Sequence, residues 1–371
     1  MIDWSPSFVS TAIFVVGWSA GWWLWLRAKS LPIVMRPSTS RPSASSSGAS
    51  PPATTPRPQV SVIVPCRNEA ANLPHFLTSL APALHPDDEL IIVDDGSVDE
   101  TASLARAHGA RILINDTLPA GWAGKPYACW RGAGIASREV LVFLDADVRL
   151  GASSLESLCA VLKQHSHALV SVMPWHRTHG VVERLSMLFN LVSSLVASIA
   201  PRGTSRRVAY GPCMAVRRDT YMAVGGHAHS LVRAAVVEDL ALARVMPDAV
   251  ALVGRQHEVE YRMYPEGLDQ LIEGWTKNTA TGAAVIPRVT ALLIIAWITS
   301  LCGGVVTSPW FYLASVAQLV VMVRRVGNFG QLAAAVYPLH AMFFVAIAVW
   351  SAVRSAVVGN VAWRGRRIPT R

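Results

Sequence analysis

Apolar residues in this chain are concentrated at its two ends. Near the start, residues Phe8–Leu26 form an uncharged run long enough to cross a hydrocarbon core of ~30 Å, and its tryptophans suit a membrane interface. Three further apolar runs occupy the C-terminal part: Val289–Val306, Trp310–Val323 and Leu332–Val358. The pattern predicts one N-terminal transmembrane helix and two or three helices in a C-terminal membrane region.

Between these ends, short β-branched runs alternate with helical stretches. The strand-like runs are Val60–Val64, Leu90–Val93, Arg111–Ile114 and Val140–Leu144. Such alternation predicts an α/β domain, a mostly parallel sheet covered by helices on both faces. In sheets of this kind, ligands bind at the carboxyl ends of the strands.

Four segments follow from these patterns. Residues 1–30 are expected to hold the N-terminal transmembrane helix, residues 31–59 a Pro/Ser-rich linker, residues 60–282 the α/β domain, and residues 283–371 the C-terminal membrane region with a basic tail. The linker is assigned because its composition cannot bury enough apolar surface to order itself. One apolar stretch of the domain, Val181–Ala200, is interpreted either as an interfacial helix or as a buried one.

Charge orients the membrane segments. The chain is 52% hydrophobic with a net charge of +9, and the basic residues Arg27 and Lys29 directly follow the first apolar run. Because loops on the cytoplasmic side carry an excess of Lys and Arg, the α/β domain is expected in the cytoplasm, attached to the cell membrane. Three later crossings would place the basic tail (Arg364, Arg366, Arg367, Arg371) outside. Either one run is interfacial or re-entrant, or the tail breaks the rule.

Several function classes are disfavoured. The first strand leads into Pro65–Glu69, which lacks the glycines of a dinucleotide-binding loop. The five cysteines form no CxxC pair, so neither a zinc site nor a disulfide framework is indicated. The basic residues cluster beside membrane segments, which favours membrane lipid as a partner and argues against nucleic acid.

Acidic residues follow several of the predicted strands. Glu69 comes after the first strand, Asp94 after the second, and Asp145 and Asp147 lie within Phe143–Val148. This segment is expected to be extended, so that Asp145 and Asp147 project to the same side of the chain. Crowded carboxylates repel one another unless a cation shares the site. Hard oxygen ligands suit Mg²⁺ or Mn²⁺, so a divalent metal cofactor is predicted at this edge of the sheet.

These motifs together resemble a known family. With Pro65–Glu69, Val93–Ser97, the Asp-Ala-Asp of Phe143–Val148 and a later Glu238-Asp239 in the same order, the chain resembles the GT-A family 2 glycosyltransferases, inverting enzymes that use nucleotide-sugars. Gly121–Cys129, Gly274–Asn278 and Trp363–Arg366 are similar to the branch containing 4,4'-diaponeurosporenoate and hopanoid-associated glycosyltransferases.

The resemblance implies roles for individual residues. They are a general base at Asp239 with Glu238 beside it, a metal ligand at Asp147, and nucleotide-sugar contacts at Glu69, Asp94, Lys125 and Asp145. Trp275 and Lys277 are expected on the acceptor or diphosphate side, with a membrane-surface anchor as the other interpretation.

The resemblance also implies substrates. UDP-glucose is the family-level expectation for the donor, and the acceptor is expected to be lipid-soluble: a carotenoid carboxylic acid, or alternatively polyprenyl phosphate, a hopanoid or another membrane lipid. An inactive nucleotide-sugar-binding protein is the alternative from a different class, and retention of Glu69, Asp94, Asp147 and Asp239 together argues against it.

Overall fold

The computed structural model describes residues 6–34, 57–196, 207–235, 237–283 and 286–357, and the backbone of residues 360–363 and 366–369. The strands are β1 (Val60–Cys66), β2 (Glu89–Asp94), β3 (Arg111–Ile114), β4 (Val140–Leu144), β5 (Val148–Leu150), β6 (Ala168–Met173), β7 (Trp175–His176), β8 (Cys213–Arg217), β9 (Asp248–Val253), β10 (Val259–Tyr261), β11 (Asn360–Trp363) and β12 (Arg366–Pro369). The helices are α1 (Pro6–Arg27), α2 (Leu73–Leu80), α3 (Thr101–Ala107), α4 (Gly124–Ile135), α5 (Ser154–Gln164), α6 (Val181–Arg184), α7 (Met187–Val196), α8 (Arg218–Ala223), α9 (Glu238–Val245), α10 (Leu268–Ala283), α11 (Arg288–Thr307), α12 (Pro309–Val326), α13 (Gln331–Ala335) and α14 (Tyr337–Val357).

A seven-stranded sheet forms the centre of the domain. Its order is β3-β2-β1-β4-β8-β6-β9, and β8 runs antiparallel to both of its neighbours while the other pairings are parallel. A second sheet, β5-β10-β7, lies beside it. The expectation of a mostly parallel α/β sheet is therefore confirmed.

Both faces of this sheet are covered. Along β1, Val62 packs on one face in a core shared with α2 and α5, whereas Ile63 packs on the other face with α4. Successive strand residues point to opposite faces, so a run that is apolar at every position fits a strand covered on both sides. The predicted run Val60–Val64 lies within this strand.

Among the described residues, three helices are long and apolar enough to cross a membrane: Ser7–Arg27, Arg288–Thr307 and Tyr337–Val357. This supports association of the chain with a membrane. Helices α1 and α11 pack closely, and a Cβ added at Gly17 would lie 2.2 Å from the carbonyl oxygen of Ala296. Only glycine permits that approach, which is typical of helix contacts formed within lipid.

Residues at both ends of the predicted linker are packed on the α/β domain. Leu31 is buried, and its N–H donates to the carbonyl oxygen of Val253 on β9 (2.9 Å). Arg57 lies 2.5 Å from Asp88 and 3.4 Å from Glu156 in buried ion pairs. Both ends of the expected linker are thus packed on the domain, and residues 35–56 lie outside the described residues.

The stretch for which two interpretations were open, residues 181–200, forms α6 and α7. Met187, Leu188 and Leu191 of α7 are fully buried in a core shared with α1, α11 and α12. Helix α7 is therefore a buried helix between the sheet domain and the membrane helices. Residues 197–200 lie outside the described residues.

Candidate active site

One cleft of about 1410 Å³ opens at the carboxyl edge of the main sheet and extends to the membrane helices. Eight sequence-predicted site residues line it: Glu69, Lys125, Asp145, Asp147, Glu238, Asp239, Trp275 and Lys277. These come from segments more than 200 residues apart in the chain. The topology brings them together because their loops leave the same edge of the sheet.

Asp94 is not among the residues that line this cleft; it pairs with Cys66 at the end of β1. It is 3% exposed, ends β2, and accepts a hydrogen bond from the Ser97 N–H (2.9 Å). The loops after β1 and β2 are joined to each other: the Asn68 N–H donates to the Ser97 hydroxyl (3.0 Å), and the Val98 N–H donates to the Asn68 side chain (2.9 Å). Asn68 adopts a left-handed backbone with φ of 55°, which asparagine tolerates better than most residues.

The segment Asp145–Asp147 is a turn, which corrects the extended geometry expected from the sequence. The Val148 N–H donates back to the Asp145 carbonyl (3.1 Å), and the Asp145 N–H donates to the carbonyl of Pro212 before β8 (3.0 Å). Both carboxylates nevertheless line the cleft. The turn leads directly from the main sheet at β4 into the second sheet at β5.

Asp147 is a partly buried carboxylate that lines the cleft and has one oxygen atom unpaired within the described part of the chain. Its Oδ1 atom is buried and has no hydrogen-bond partner among the described residues. Burial, followed by the nearby charges of Asp145 and Glu69, raises the pKa of Asp147 to about 7. A divalent cation would relieve both penalties, so the residue fits such a metal. The described residues contain no group of three or more metal-ligating side chains. A single carboxylate suits Mg²⁺ or Mn²⁺, which take most of their other ligands from phosphates and water.

Lys125, at the start of α4, joins two acids from distant parts of the chain. Its Nζ lies 2.7 Å from Asp145 Oδ1 and 2.8 Å from Glu238 Oε1. Burial alone would lower the pKa of this lysine, but the two carboxylates raise it well above its usual value. Burial would raise the pKa of Glu238, and Lys125 instead holds it below the usual range. One ammonium therefore serves two carboxylates, and the cluster keeps one excess negative charge.

Asp239 lies next to this ion cluster, but in the described part of the chain it forms no ion pair with Lys125. Its Oδ2 accepts a short hydrogen bond from the Gly211 N–H (2.6 Å), and its Oδ1 accepts from the Leu240 N–H (2.8 Å). Burial and the charge of Glu238 raise the pKa of Asp239 to about 7. A carboxylate with this pKa can take up a proton near neutral pH.

Gly211 is a site residue that the sequence reasoning missed. A Cβ at this position would lie 3.2 Å from Asp239 Oδ2, 3.3 Å from Glu238 Oε1 and 3.3 Å from Lys125 Nζ. The absence of a side chain is what lets these three groups meet. The only signal in the sequence is a Gly-Pro pair just before β8, which by itself marks no more than a turn.

Trp275 and Lys277 lie on α10, in the wall of the cleft. The Trp275 ring is 5% exposed, stacks on Phe189 of α7 (centroids 4.6 Å apart), and donates its Nε1–H to the Ser186 hydroxyl (2.9 Å). Its position therefore joins α10 to α7. Burial lowers the pKa of Lys277, which interacts electrostatically with Glu238 and Asp239.

The other half of the cleft is apolar. Helix α7 contributes Val192 and Val196, and α11 contributes Ile294 and Ile298, with Phe344 from α14 between them. The lining positions Ala291, Ile294, Ile295, Ile298 and Thr299 share one face of α11, since they recur at helical spacing. Over eight residues this face extends about 12 Å. The acids and the apolar faces therefore line one continuous space.

Comparison with known proteins places this site in a family. The model for "Glycosyl transferase family 2" matches residues 61–225. The chain is 33% identical to a 4,4'-diaponeurosporenoate glycosyltransferase of Staphylococcus aureus strain MRSA252, and 32% identical to the protein of the same name from strain USA300. Each alignment covers 83% of this chain and 88% of the relative. The chain belongs to glycosyl transferase family 2.

A solved structure extends the likeness to the membrane helices. The mannosyltransferase of Pyrobaculum calidifontis, solved with GDP-Man and Mn²⁺, aligns over 95% of this chain and 99% of its own, with a TM-score of 0.50 and 17% identity. At that identity the likeness concerns the fold, and it confirms the GT-A expectation. Membership of the family also confirms that this chain is a glycosyltransferase enzyme.

Proposed function

We propose that this enzyme moves a sugar from a nucleoside-diphosphate sugar to a lipid-soluble acceptor by a single displacement that inverts the anomeric centre. The observation that carries the proposal is the cleft itself. The cleft is lined by a cluster of acids at the sheet edge and continues without interruption between apolar faces of α7 and α11. A polar donor and a hydrocarbon acceptor need such a divided site.

The donor would bind at the acidic end. Glu69, Asp94 and Asp145 are assigned to the base and ribose, and Asp147 to the divalent metal, Mn²⁺ or Mg²⁺, beside the diphosphate. When bound, the metal stabilises the negative charge that develops on the departing nucleoside diphosphate. Lys125, held by Asp145 and Glu238, supplies a fixed positive charge near the donor. UDP-glucose is the donor we expect, from the family resemblance.

Asp239 is the proposed general base. Its Oδ2 is oriented by the Gly211 N–H, and its pKa of about 7 suits proton uptake from an acceptor hydroxyl at neutral pH. In the proposed step, the acceptor oxygen forms a bond to the anomeric carbon while the bond to the nucleotide phosphate breaks. The acceptor proton passes to Asp239, and the electron pair leaves with the nucleoside diphosphate.

Two acceptor classes remain, and each has an observation in its favour. The names of the Staphylococcus aureus relatives favour a carotenoid carboxylic acid, and the cation of Lys277 in the cleft would offset its charge. The raised pKa of Asp239 favours a hydroxyl acceptor, because an acid that is already ionised hardly needs a base. We therefore keep a hydroxylated membrane lipid as the second candidate.

The enzyme is proposed to lie in the cytoplasmic membrane with its catalytic domain in the cytoplasm. The candidate membrane helices support the attachment. Arg27 and Lys29, at the domain end of α1, support the orientation, since basic residues favour the cytoplasmic side.

The test uses membranes that contain the whole chain. Labelled UDP-glucose and other nucleotide-sugars are supplied with a lipid extract, with and without a chelator, and labelled lipids are identified by mass spectrometry. We expect a metal-dependent glycolipid product. Absence of any such product with several donors would reject the enzyme's proposed reaction.

A matched pair of variants tests the apolar half of the cleft. Ile298→Trp fills the lining face of α11, whereas Leu292→Trp changes an exposed residue of the same helix outside the cleft. We expect Ile298→Trp to raise the KM for the lipid acceptor at least tenfold with the KM for the donor unchanged, and Leu292→Trp to have little effect. Equal effects of the two variants would contradict an acceptor site between α7 and α11.

A further inference from the structure

Helices α1, α11 and α12 lie side by side in one bundle. At one end, the Phe14 ring stacks on Phe311 (centroids 4.1 Å apart), and a Cβ at Gly304 would lie 3.0 Å from the Phe14 ring. Near the middle, Gln318 donates to the Trp18 carbonyl (2.8 Å) and accepts from the Trp297 indole (2.9 Å). Helix α12 therefore runs parallel to α1 and antiparallel to α11 over the same depth. At 18 residues it is about 27 Å long, close to the thickness of the hydrocarbon core.

The other end of this bundle is attached to the catalytic domain. The Arg325 guanidinium at the end of α12 donates to the carbonyls of Trp25 and Ala28 at the end of α1. The Trp175 indole of the domain donates to the Arg324 carbonyl (3.2 Å). We call this end of the bundle the domain end and the opposite one, with the turn between α11 and α12, the far end.

After α12 the chain is fixed to the domain and then turns back into the bundle. The Asn328 side chain accepts from the Thr178 N–H (2.5 Å) and donates to the Thr178 carbonyl (3.1 Å). Helix α13 then brings the chain back alongside α12, where the Tyr312 hydroxyl donates to the Ala335 carbonyl (2.5 Å). The Tyr337 hydroxyl donates to the carbonyl of Leu301, far along α11 (3.2 Å). The break between α13 and α14 is thus held by neighbouring helices, as non-helical backbone at membrane depth requires.

Helix α14 then returns to the domain. Phe343 and Phe344 contact Phe189 of α7, with ring centroids 6.0 and 4.8 Å away. Further along, the Ser351 hydroxyl donates to the Thr276 carbonyl on α10 (2.8 Å). Arg354, in the last turn, shares a small pocket with the charged residues of α10, Asp269 and Glu273. The C-terminal end of α14 therefore lies against the catalytic domain.

We propose that α13 and α14 form a re-entrant pair, so that the chain crosses the membrane three times, by α1, α11 and α12, and its basic tail stays on the catalytic side. Both ends of the pair, Asn328 and Ser351, are hydrogen-bonded to the domain. A fourth one-way crossing would require its last turns to lie at the far end of the bundle. Length and composition alone made α14 a spanning candidate and left α12 out.

Charge agrees with this topology. Arg27, Lys29, Arg288, Arg324, Arg325 and Arg354 all lie at the domain end, and the tail adds Arg364, Arg366, Arg367 and Arg371. The turn Thr307–Pro309 at the far end contains no Lys or Arg. The re-entrant pair thus removes the conflict that three one-way C-terminal crossings created with the positive-inside rule.

The face of α14 turned away from the domain is suited to lipid. Its exposed apolar residues recur at helical spacing: Leu339, Met342, Val345, Val349, Val353 and Val357. This stripe continues the apolar surface of the bundle. Its partner is the hydrocarbon and interface of the bilayer on the catalytic side, and the Arg354 guanidinium over the Trp350 ring (5.8 Å to the centroid) suits the interface at its end.

The test compares three single cysteines introduced into a variant with Cys302, the exposed native cysteine, replaced by serine. Ser308→Cys marks the far end, Lys163→Cys marks the catalytic domain on α5, and Thr370→Cys marks the tail. Each is exposed to a membrane-impermeant maleimide in intact cells and again after permeabilisation. We expect Thr370→Cys to behave as Lys163→Cys does and opposite to Ser308→Cys.

Two results would overturn the proposal. Labelling of Thr370→Cys together with Ser308→Cys would mean that α14 crosses to the far side. Labelling of Ser308→Cys together with Lys163→Cys would mean that α11 and α12 do not cross. As a second readout that depends on no cysteine, green fluorescent protein fused after Arg371 should fluoresce, because this reporter folds on the cytoplasmic side.

Discussion

Two pairs of carboxylates share the cleft and differ in a single neighbour. Asp145 and Glu238 lie within 2.8 Å of the Lys125 ammonium, which holds the pKa of Glu238 below its usual range. Asp147 and Asp239 have no such contact in the described structure, and each has a pKa raised to about 7. The first pair is electrostatically satisfied and suits the positioning of groups. The second pair, Asp147 and Asp239, can bind a cation or a proton. Catalytic and metal-binding roles are therefore expected at these two residues.

The largest effect is expected from Asp239→Asn. Removing the base should lower kcat for a hydroxyl acceptor by about 10²- to 10⁴-fold. For a carboxylic acid acceptor the loss should be under tenfold, because that nucleophile is already ionised. Initial rates with both acceptor types measure the difference, and Asp87→Asn, an exposed surface change, is the control. Full activity with every acceptor would remove Asp239 from the mechanism.

Asp147→Asn should stabilise the metal-free protein and remove its response to Mn²⁺. Because burial raises the pKa of Asp147, its charged form destabilises the metal-free fold, and this cost grows as pH rises from about 4 to 7. At pH 8 without metal, the variant should therefore be more stable than wild type by about 1–3 kcal/mol. It should also lose the stabilisation that Mn²⁺ gives wild type. Denaturant titration with and without Mn²⁺ tests both, and an unchanged response to Mn²⁺ would exclude Asp147 as a ligand.

Lys125→Met should have the opposite effect on stability. It leaves Asp145 and Glu238 without their cation, at a cost of about 1–3 kcal/mol for this partly exposed cluster. The double variant Lys125→Met/Glu238→Gln should recover part of that loss, and Lys163→Met on the surface of α5 is the control. If the double variant were less stable than Lys125→Met, the ion cluster would not be what stabilises these groups.

The pH dependence distinguishes the acceptor classes. Asp239 must be ionised to act as a base, and its pKa is about 7, so activity is present above pH 7 and lost as pH falls below it. For a hydroxyl acceptor, kcat/KM should fall about fivefold between pH 7 and pH 6, and change little above pH 8. For a carboxylic acid acceptor the profile should be flat across this range when Mn²⁺ is saturating, because bound metal keeps Asp147 ionised. An identical profile in Asp239→Asn would assign the titration to another group.

The smallest effect is expected from Gly211→Ala. Its Cβ would press on Asp239, Glu238 and Lys125 at 3.2–3.3 Å, so this cluster must shift by a few tenths of an ångström. We expect a loss of kcat of about tenfold with stability nearly unchanged, since misplacement of reacting groups is costly. Gly134→Ala on α4 is the matched control, because a Cβ there meets nothing within 4 Å. Equal activity in the two variants would show that the spacing at Gly211 is not needed.

Local signals in the sequence determined the elements of the fold. The runs Arg111–Ile114 and Val140–Leu144 are strands at the same residues as predicted, although β3 is a partly exposed edge strand and β4 a buried central one. Short runs of aliphatic and β-branched residues fit the pleated surface of a sheet in both places. The order of strands and helices fixed the mostly parallel sheet, and with it the edge at which the acids would gather. The sequence therefore predicted that these acids lie at one edge of the sheet, whereas their individual roles were implied by the family resemblance.

Tertiary structure decided which of those acids are paired with a cation and where the candidate membrane helices pack. Lys125, Asp145 and Glu238 are separated by up to 113 positions, so no local pattern encodes their contact. Gly211 matters only because Lys125, Glu238 and Asp239 converge on it. Length and hydropathy likewise make α14 a candidate membrane span. In the structure, however, Ser351 of α14 is hydrogen-bonded to Thr276 on α10, so this part of the helix lies against the catalytic domain. Composition determines which residues are buried away from water. Ion pairing and the path of a helix depend instead on distances that are set only when remote segments pack together.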